Sequence, residues 1–178
     1  MRPLPARLTN TAFVALLVLL AAAPADASAQ KCKFSVDKKD PLTGEHLRAE
    51  GIQLGRGVRI GIGKAGQVPQ LSITLTYPHD QGFQVQPGNL LIVKLASGDT
   101  LHYRNVNTAA PVTYVASTNP PAIHTQYTLN YFMDQRFYPL LAQHPPELFR
   151  VHLGDRAVDV EVNSKDGRKI MKYADCLR

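Results

Sequence analysis

Period-two alternation of apolar and polar residues dominates the chain beyond residue 32. Leu71, Ile73, Leu75 and Tyr77 alternate with Ser72, Thr74 and Thr76, which predicts a strand with one face packed inward and the other in water. Similar runs predict strands from Lys33 to Val36, His46 to Leu54, Val58 to Ile62, Leu90 to Leu95, Thr100 to Val106, Val112 to Ala116 and Ile123 to Asn130. Turn chemistry separates them: Asp40-Pro41-Leu42-Thr43-Gly44, Ser97-Gly98-Asp99 and Asn119-Pro120-Pro121.

Gly154-Asp155 is the sharpest hairpin signal. A two-residue loop there pairs Leu153 with Arg156, Val151 with Val158 and Phe149 with Val160, and sets Arg150 opposite Asp159. Apolar then meets apolar and plus meets minus, so both faces of the hairpin agree on one register.

Two segments switch to helical spacing. Asp134 is placed to cap a short helix through Phe137, Leu140 and Leu141, ended by Pro145-Pro146. Pro139 requires that helix to kink, or to begin later with proline in its first turn. Ser164 is a good N-cap for a final helix, with Asp166 in the first turn and Ile170, Tyr173, Ala174 and Leu177 on one side. The expected fold class is mainly β (α+β): a small antiparallel β-sandwich or partly open barrel, with one short helix near 134–143 and a C-terminal helix near 165–176.

The first thirty residues change the picture by adding an address. Arg2 and Arg7 precede an apolar run from Thr11 to Ala23, followed by Ala25-Asp26-Ala27-Ser28-Ala29 with its overlapping A-x-A sites. That layout reads as a signal peptide over 1–29, too short for a membrane span, leaving a single exported β-rich domain over 30–178 that begins at Ser28 or Gln30. The destination is periplasmic or secreted, with no transmembrane span in the mature chain. Cys32 and Cys176 are the only cysteines. In an oxidising compartment they are expected to join as a disulfide across nearly the whole domain. Lys31 before Cys32 does not fit a lipidation site, where a small residue is needed.

Charge narrows the partners. The leader's two arginines and one aspartate account for +1 of the net +6, leaving +5. No like-charge block exceeds two residues, Lys38-Lys39 and Arg168-Lys169 being the densest. A nucleic-acid binder would cluster its basic residues with aromatics between them, so no nucleic-acid partner is expected. A protein or an anionic envelope component fits the modest excess better.

Motif fragments fail on context. Gly61-Ile62-Gly63-Lys64-Ala65-Gly66 spells G-x-G-x-x-G, yet Val68-Pro69-Gln70 leads on into a strand where a dinucleotide site needs a helix. Ser35-Val36-Asp37-Lys38 spells S-x-x-K without the S-D-N and K-T-G companions of that chemistry. Asp37, Asp40 and Gly44 lack the alternate ligands and closing glutamate of a calcium loop, and turn formation explains them. The histidines His46, His79, His102, His124, His144 and His152 show no metal-ligand spacing, with His79-Asp80 the first pair to inspect. Asp159 and Glu161 read as a solvated strand face, and there is no G-x-S-x-G elbow. No catalytic residue, cofactor or metal is therefore assigned.

Tyr103, Tyr114, Tyr127 and Tyr131 lie on neighbouring expected strands, and tyrosine is favoured at recognition surfaces, so they form the expected binding surface. The leading expectation is a non-enzymatic binding or interaction module of the envelope or secreted fraction. The alternatives are a small extracytoplasmic hydrolase with histidines and carboxylates from separate strands, and an inhibitor-like partner of a secreted enzyme. A histidine within reach of a carboxylate in a concave pocket favours the hydrolase. An exposed apolar patch or an unprotected sheet edge favours the binder.

Overall fold

The computed structural model describes residues 32–79, 81–118 and 120–178; the expected signal peptide lies outside them. The described chain is mainly β. Strands β1 (Val36–Lys39), β2 (His46–Gln53), β3 (Val58–Ala65), β4 (Val68–Pro78), β5 (Leu90–Leu95), β6 (Thr100–Arg104), β7 (Val112–Ala116) and β8 (Ala122–Phe132) precede helix α1 (Phe137–Gln143). Strands β9 (Pro146–Leu153) and β10 (Arg156–Glu161) and helix α2 (Ser164–Leu177) complete it. One sheet runs β1-β2-β3-β4-β8-β7 and the other β10-β9-β5-β6, and all their pairings are antiparallel. The sheets meet where Asn105, one residue past β6, bridges to Tyr131 of β8.

Alternation sorts the core. Ile60 and Ile62 of β3, Leu71, Ile73 and Leu75 of β4, and Tyr127, Leu129 and Tyr131 of β8 are buried on the inner face of the six-stranded sheet. Leu91 and Val93 of β5, Phe149 and Val151 of β9, Phe137, Tyr138 and Leu141 of α1, and Ile170, Ala174 and Leu177 of α2 complete the same cluster. Burying each such side chain contributes on the order of 1.5–3 kcal/mol, which makes this cluster the main stabilising term.

The β9–β10 hairpin has the register the alternation predicts, from Leu153↔Arg156 through Arg150↔Asp159 to Phe149↔Val160. Gly154 takes φ +70° in its two-residue loop, a conformation that glycine adopts without strain. Arg150 grips Asp159 with two parallel hydrogen bonds of 2.6 Å. The G-x-G-x-x-G stretch is the end of β3 and its turn, and Ala65 pairs with Val68 across Gly66-Gln67.

Three local expectations are corrected. The first strand is Val36–Lys39 rather than Lys33 to Val36, because Asp40 closes the following turn tightly. Its carboxylate accepts the Leu42 and Thr43 amides at 2.7 and 2.9 Å, so pairing starts at Lys39↔His46. Asp134 caps the turn before α1, accepting the Arg136 amide at 2.9 Å, so the helix starts at Phe137 and not near 134, while Pro139 lies in its first turn, the second of the two expected arrangements. Asn163, not Ser164, caps α2: its side chain accepts the Lys165 and Asp166 amides.

The disulfide joins Cys32 to Cys176 with a Cα–Cα distance of 6.4 Å. It ties the chain just before β1 to the last turn of α2. Phe34 lies against Tyr173 beside it, ring centroids 5.7 Å apart.

Candidate binding surfaces

The four tyrosines do not form one surface. Tyr127 and Tyr131 occupy the inward positions of β8 and are fully buried, a correction that follows from their alternation with Gln126, Thr128 and Asn130. Tyr127 donates its hydroxyl to the Gln81 and Phe83 carbonyls, and its ring stacks on Phe83. Tyr131 adds apolar bulk, and burial raises its phenol pKa. Tyr103 is half-buried edge-on to Phe137, its phenol pushed up to about 12 by burial and then by the charge of Asp134. Tyr114 alone is exposed, stacked on His124.

The face that the alternation does leave open is the outer one of the six-stranded sheet. Registers align its outward residues in rows across the strands. One row holds Gln53, Arg59, Thr74 and Thr128, the next Gly51, Gly61, Ser72 and Asn130, and the third Ala49, Gly63, Gln70 and Phe132. The middle rows are cleared by small residues. A groove of about 390 Å³ lies over Ala49, Gly61, Gly63 and Ser72, bounded by Leu47, Val106 and Phe132. A second hollow of about 260 Å³ continues past Gly51 to Arg59 and Thr74, sharing Ala49, Gly61 and Ser72 with the first.

The two ends of this groove differ in chemistry. Phe132 and Val106 are exposed apolar side chains at one end. At the other, the Arg59 guanidinium lies across Gly51, where a Cβ would collide with it. Arg59 has no ion pair among the described residues. Thr74 and Thr128 share a hydrogen bond of 3.1 Å in the same row. The floor is fixed from below by α1: the Tyr138 hydroxyl accepts the Gly63 amide at 2.7 Å and contacts the Gly63 and Gln70 carbonyls at 2.6 and 2.7 Å. Alternation alone could not reveal this groove, because glycines at 51, 61 and 63 line up only once the β2–β3–β4 register is known.

A second open feature is the margin formed by β7. Val112, Tyr114 and Val115 on it, and Ile123 beside it on β8, are 61, 41, 65 and 49% exposed. Val115 lies opposite Ile123 on one face, and Val112 and Tyr114 lie on the other.

The histidines are dispersed. His46 Nε2 meets Asp37 Oδ1 at 2.5 Å on the β1–β2 hairpin, with both side chains about half exposed and neither lining the groove. His79 follows β4 with φ +67°, and its neighbour Asp80 lies outside the described residues. Among the described residues no group of three or more His, Cys, Asp or Glu could hold a metal ion. No described helix is long and apolar enough to cross a membrane. Compared with protein-family models, curated proteins and solved structures, the chain matches none.

Proposed function

We propose that this chain is an exported, non-enzymatic binding domain whose outer-face groove receives an envelope component with an anionic group and an apolar body. One observation carries the reading: two adjoining hollows that share Ala49, Gly61 and Ser72 place an apolar wall in the larger and the Arg59 guanidinium, without an ion pair among the described residues, in the smaller. The larger hollow, of about 390 Å³, is within the range of ordinary ligand pockets. Phe132, Val106 and Leu47 would cover apolar surface at about 25 cal/mol per Å² removed from water. Arg59 would supply two parallel hydrogen bonds to a carboxylate or phosphate. The export half rests on the leader pattern in residues 1–29 and on the oxidising compartment that a lasting disulfide requires.

Titration with dodecanoate below its micelle threshold, followed by amide chemical shifts, tests the groove. Saturable shifts at Gly61, Gly63 and Gln70 are expected, weakened roughly tenfold by Arg59→Ala or Phe132→Ala, a loss of about 1.4 kcal/mol. Dodecyltrimethylammonium should bind far more weakly. Equal response to the two head groups, or shifts confined to other faces, would overturn the reading. Amino-terminal sequencing of natively made protein tests export, with a start at Ser28 or Gln30 expected and an intact Met1 refuting it.

A further inference from the structure

The smaller hollow is built over a pair of glycines. Gly51 of β2 and Gly61 of β3 face each other in register, and a neighbour's polar group occupies the space each leaves. A Cβ on Gly51 would collide with the Arg59 guanidinium, and one on Gly61 with the Ser72 hydroxyl. Cβ positions of facing residues on paired strands are about 4.5–5.5 Å apart. The guanidinium and the hydroxyl therefore stand over neighbouring strands, roughly one strand spacing from each other.

Both groups have donors to spare. Neither side chain has a hydrogen bond or ion pair among the described residues. Thr74, two residues along β4 from Ser72 and on the same face, lines the same hollow and adds a second hydroxyl. Glu50 is the one carboxylate among the residues around it, and it accepts the Ser35 amide at 2.8 Å.

We propose that the anionic group received here is a phosphate monoester rather than a carboxylate, with Ser72 as the residue that tells them apart. This rests on the reading of the groove as a ligand site and names its head group. A guanidinium fork takes two oxygens of either anion in one plane. On the side away from the fork a carboxylate presents only the carbon of its own chain, whereas a phosphate monoester presents a third oxygen beside its ester oxygen. Ser72 is placed to donate to that third oxygen. The ester oxygen then leads the apolar body over Gly61 and Ala49, which the two hollows share, toward Phe132.

Titration of the intact, disulfide-closed protein with dodecyl phosphate and with dodecanoate tests it, both below their micelle thresholds and at about pH 8, where the monoester is close to doubly ionised. Amide shifts of Gly51, Gly61 and Gly63 report binding. Dodecyl phosphate should bind at least about tenfold tighter, and Ser72→Ala should weaken it at least about fivefold while changing dodecanoate less than about twofold. Ser72→Thr, which keeps the hydroxyl, should restore the affinity. Ser72 is on the outer face and bonds to nothing in the fold, so alanine there removes no support from the sheet. A preference owed to charge alone would survive Ser72→Ala, and that result would overturn the proposal, as would equal affinity of the wild type for the two head groups; the groove reading would stand in both cases. If neither ligand shifts these amides, the groove reading falls and this one with it. Inorganic phosphate should bind at least about tenfold more weakly than dodecyl phosphate, since it leaves the apolar wall unused. Equal binding of the two phosphates, still weakened by Ser72→Ala, would support the phosphate site and remove the apolar body from the groove reading.

Discussion

The six-stranded sheet has two margins built on opposite principles. At β1 the chain is stapled by Cys32–Cys176, packed through Phe34 on Tyr173, and lined with Asp37, Lys38 and Lys39. At β7 there is no staple and no charge, and four large apolar side chains are left in water. Both strands are short and both sit at an edge, so neither length nor position accounts for the difference. One margin is stapled and charged, while the other exposes apolar side chains.

Breaking the staple should have the largest effect. The disulfide closes a loop spanning a sequence separation of 144, and in the chain-entropy model its loss costs on the order of 5 kcal/mol. Cys176→Ser should therefore lower the denaturant midpoint severely, whereas Val115→Lys at the other margin should change stability by less than about 0.5 kcal/mol. Guanidinium unfolding of both variants checks this. A loss below about 1 kcal/mol for Cys176→Ser would mean that β1 is held by packing alone.

Each half of the sheet also has a buried tyrosine that ties a neighbouring segment to it, and the two ties are unequal. Tyr138 both accepts the Gly63 amide and contacts two carbonyls; Tyr127 donates to two loop carbonyls. Tyr138→Phe removes a buried hydroxyl shared by the Gly63 amide and two carbonyls, at a cost of about 1–3 kcal/mol. Tyr127→Phe should cost nearer 1 kcal/mol, since carbonyls tolerate a lost partner better than amides do. Thermal unfolding of the pair decides it, and equal losses would remove the distinction.

The guarding charges can be tested by transplanting the naked edge. Lys38→Val with Lys39→Val gives β1 the apolar character of β7, and the variant should gain a concentration-dependent association at β1. The expected gain in pairing is roughly tenfold, about 1.4 kcal/mol. Sedimentation of the double variant combined with Val115→Lys isolates it. If that triple variant stays monomeric, the lysines are not what keeps β1 unpaired.

These contrasts show which features can be read from residues alone. The β9–β10 hairpin was legible because charge and hydrophobicity agreed on one register. The disulfide followed from there being only two cysteines. The helix caps slipped by one or two residues because Asp134 and Ser164 each have a neighbour able to do related work, an ambiguity of side chains that sequence does not rank. The tyrosine surface failed for a clearer reason. Tyr127 and Tyr131 alternate with Gln126, Thr128 and Asn130, so the polar partners already marked the outward face; counting aromatics by strand ignored which side they point to. The groove needed more than alternation. Gly51, Gly61 and Gly63 are on two strands, and only register puts them together. The β7 edge had a sequence signal in the charge-free stretch from 105 to 133, but its place at the margin is a fact of topology.

The smallest effect separates the margins by pH. Asp40 closes the β1–β2 hairpin, and its carboxyl is held below the ordinary value of 3.8 by hydrogen bonds from the Thr43 and Leu42 amides, with Lys38 adding a weaker attraction. A carboxyl with a lowered folded pKa contributes stability that is complete above its unfolded pKa, near 4, and lost as pH falls through the lower folded value. The loosening should therefore begin only below about pH 4. It should be local, because Asp40 is fully exposed and its bonds lie within one turn. Amide shifts of Leu42, Thr43 and Gly44 should move toward those of an open turn as pH falls from about 4 to about 2, and Asp40→Asn should largely suppress the change. The β7–β8 hairpin contains no carboxylate, so the amides of Val112 to Ala116 should stay still over the same interval. Movement at both hairpins together would mean that acid acts on the whole fold, and the contrast between a charged margin and an uncharged one would lose its local basis.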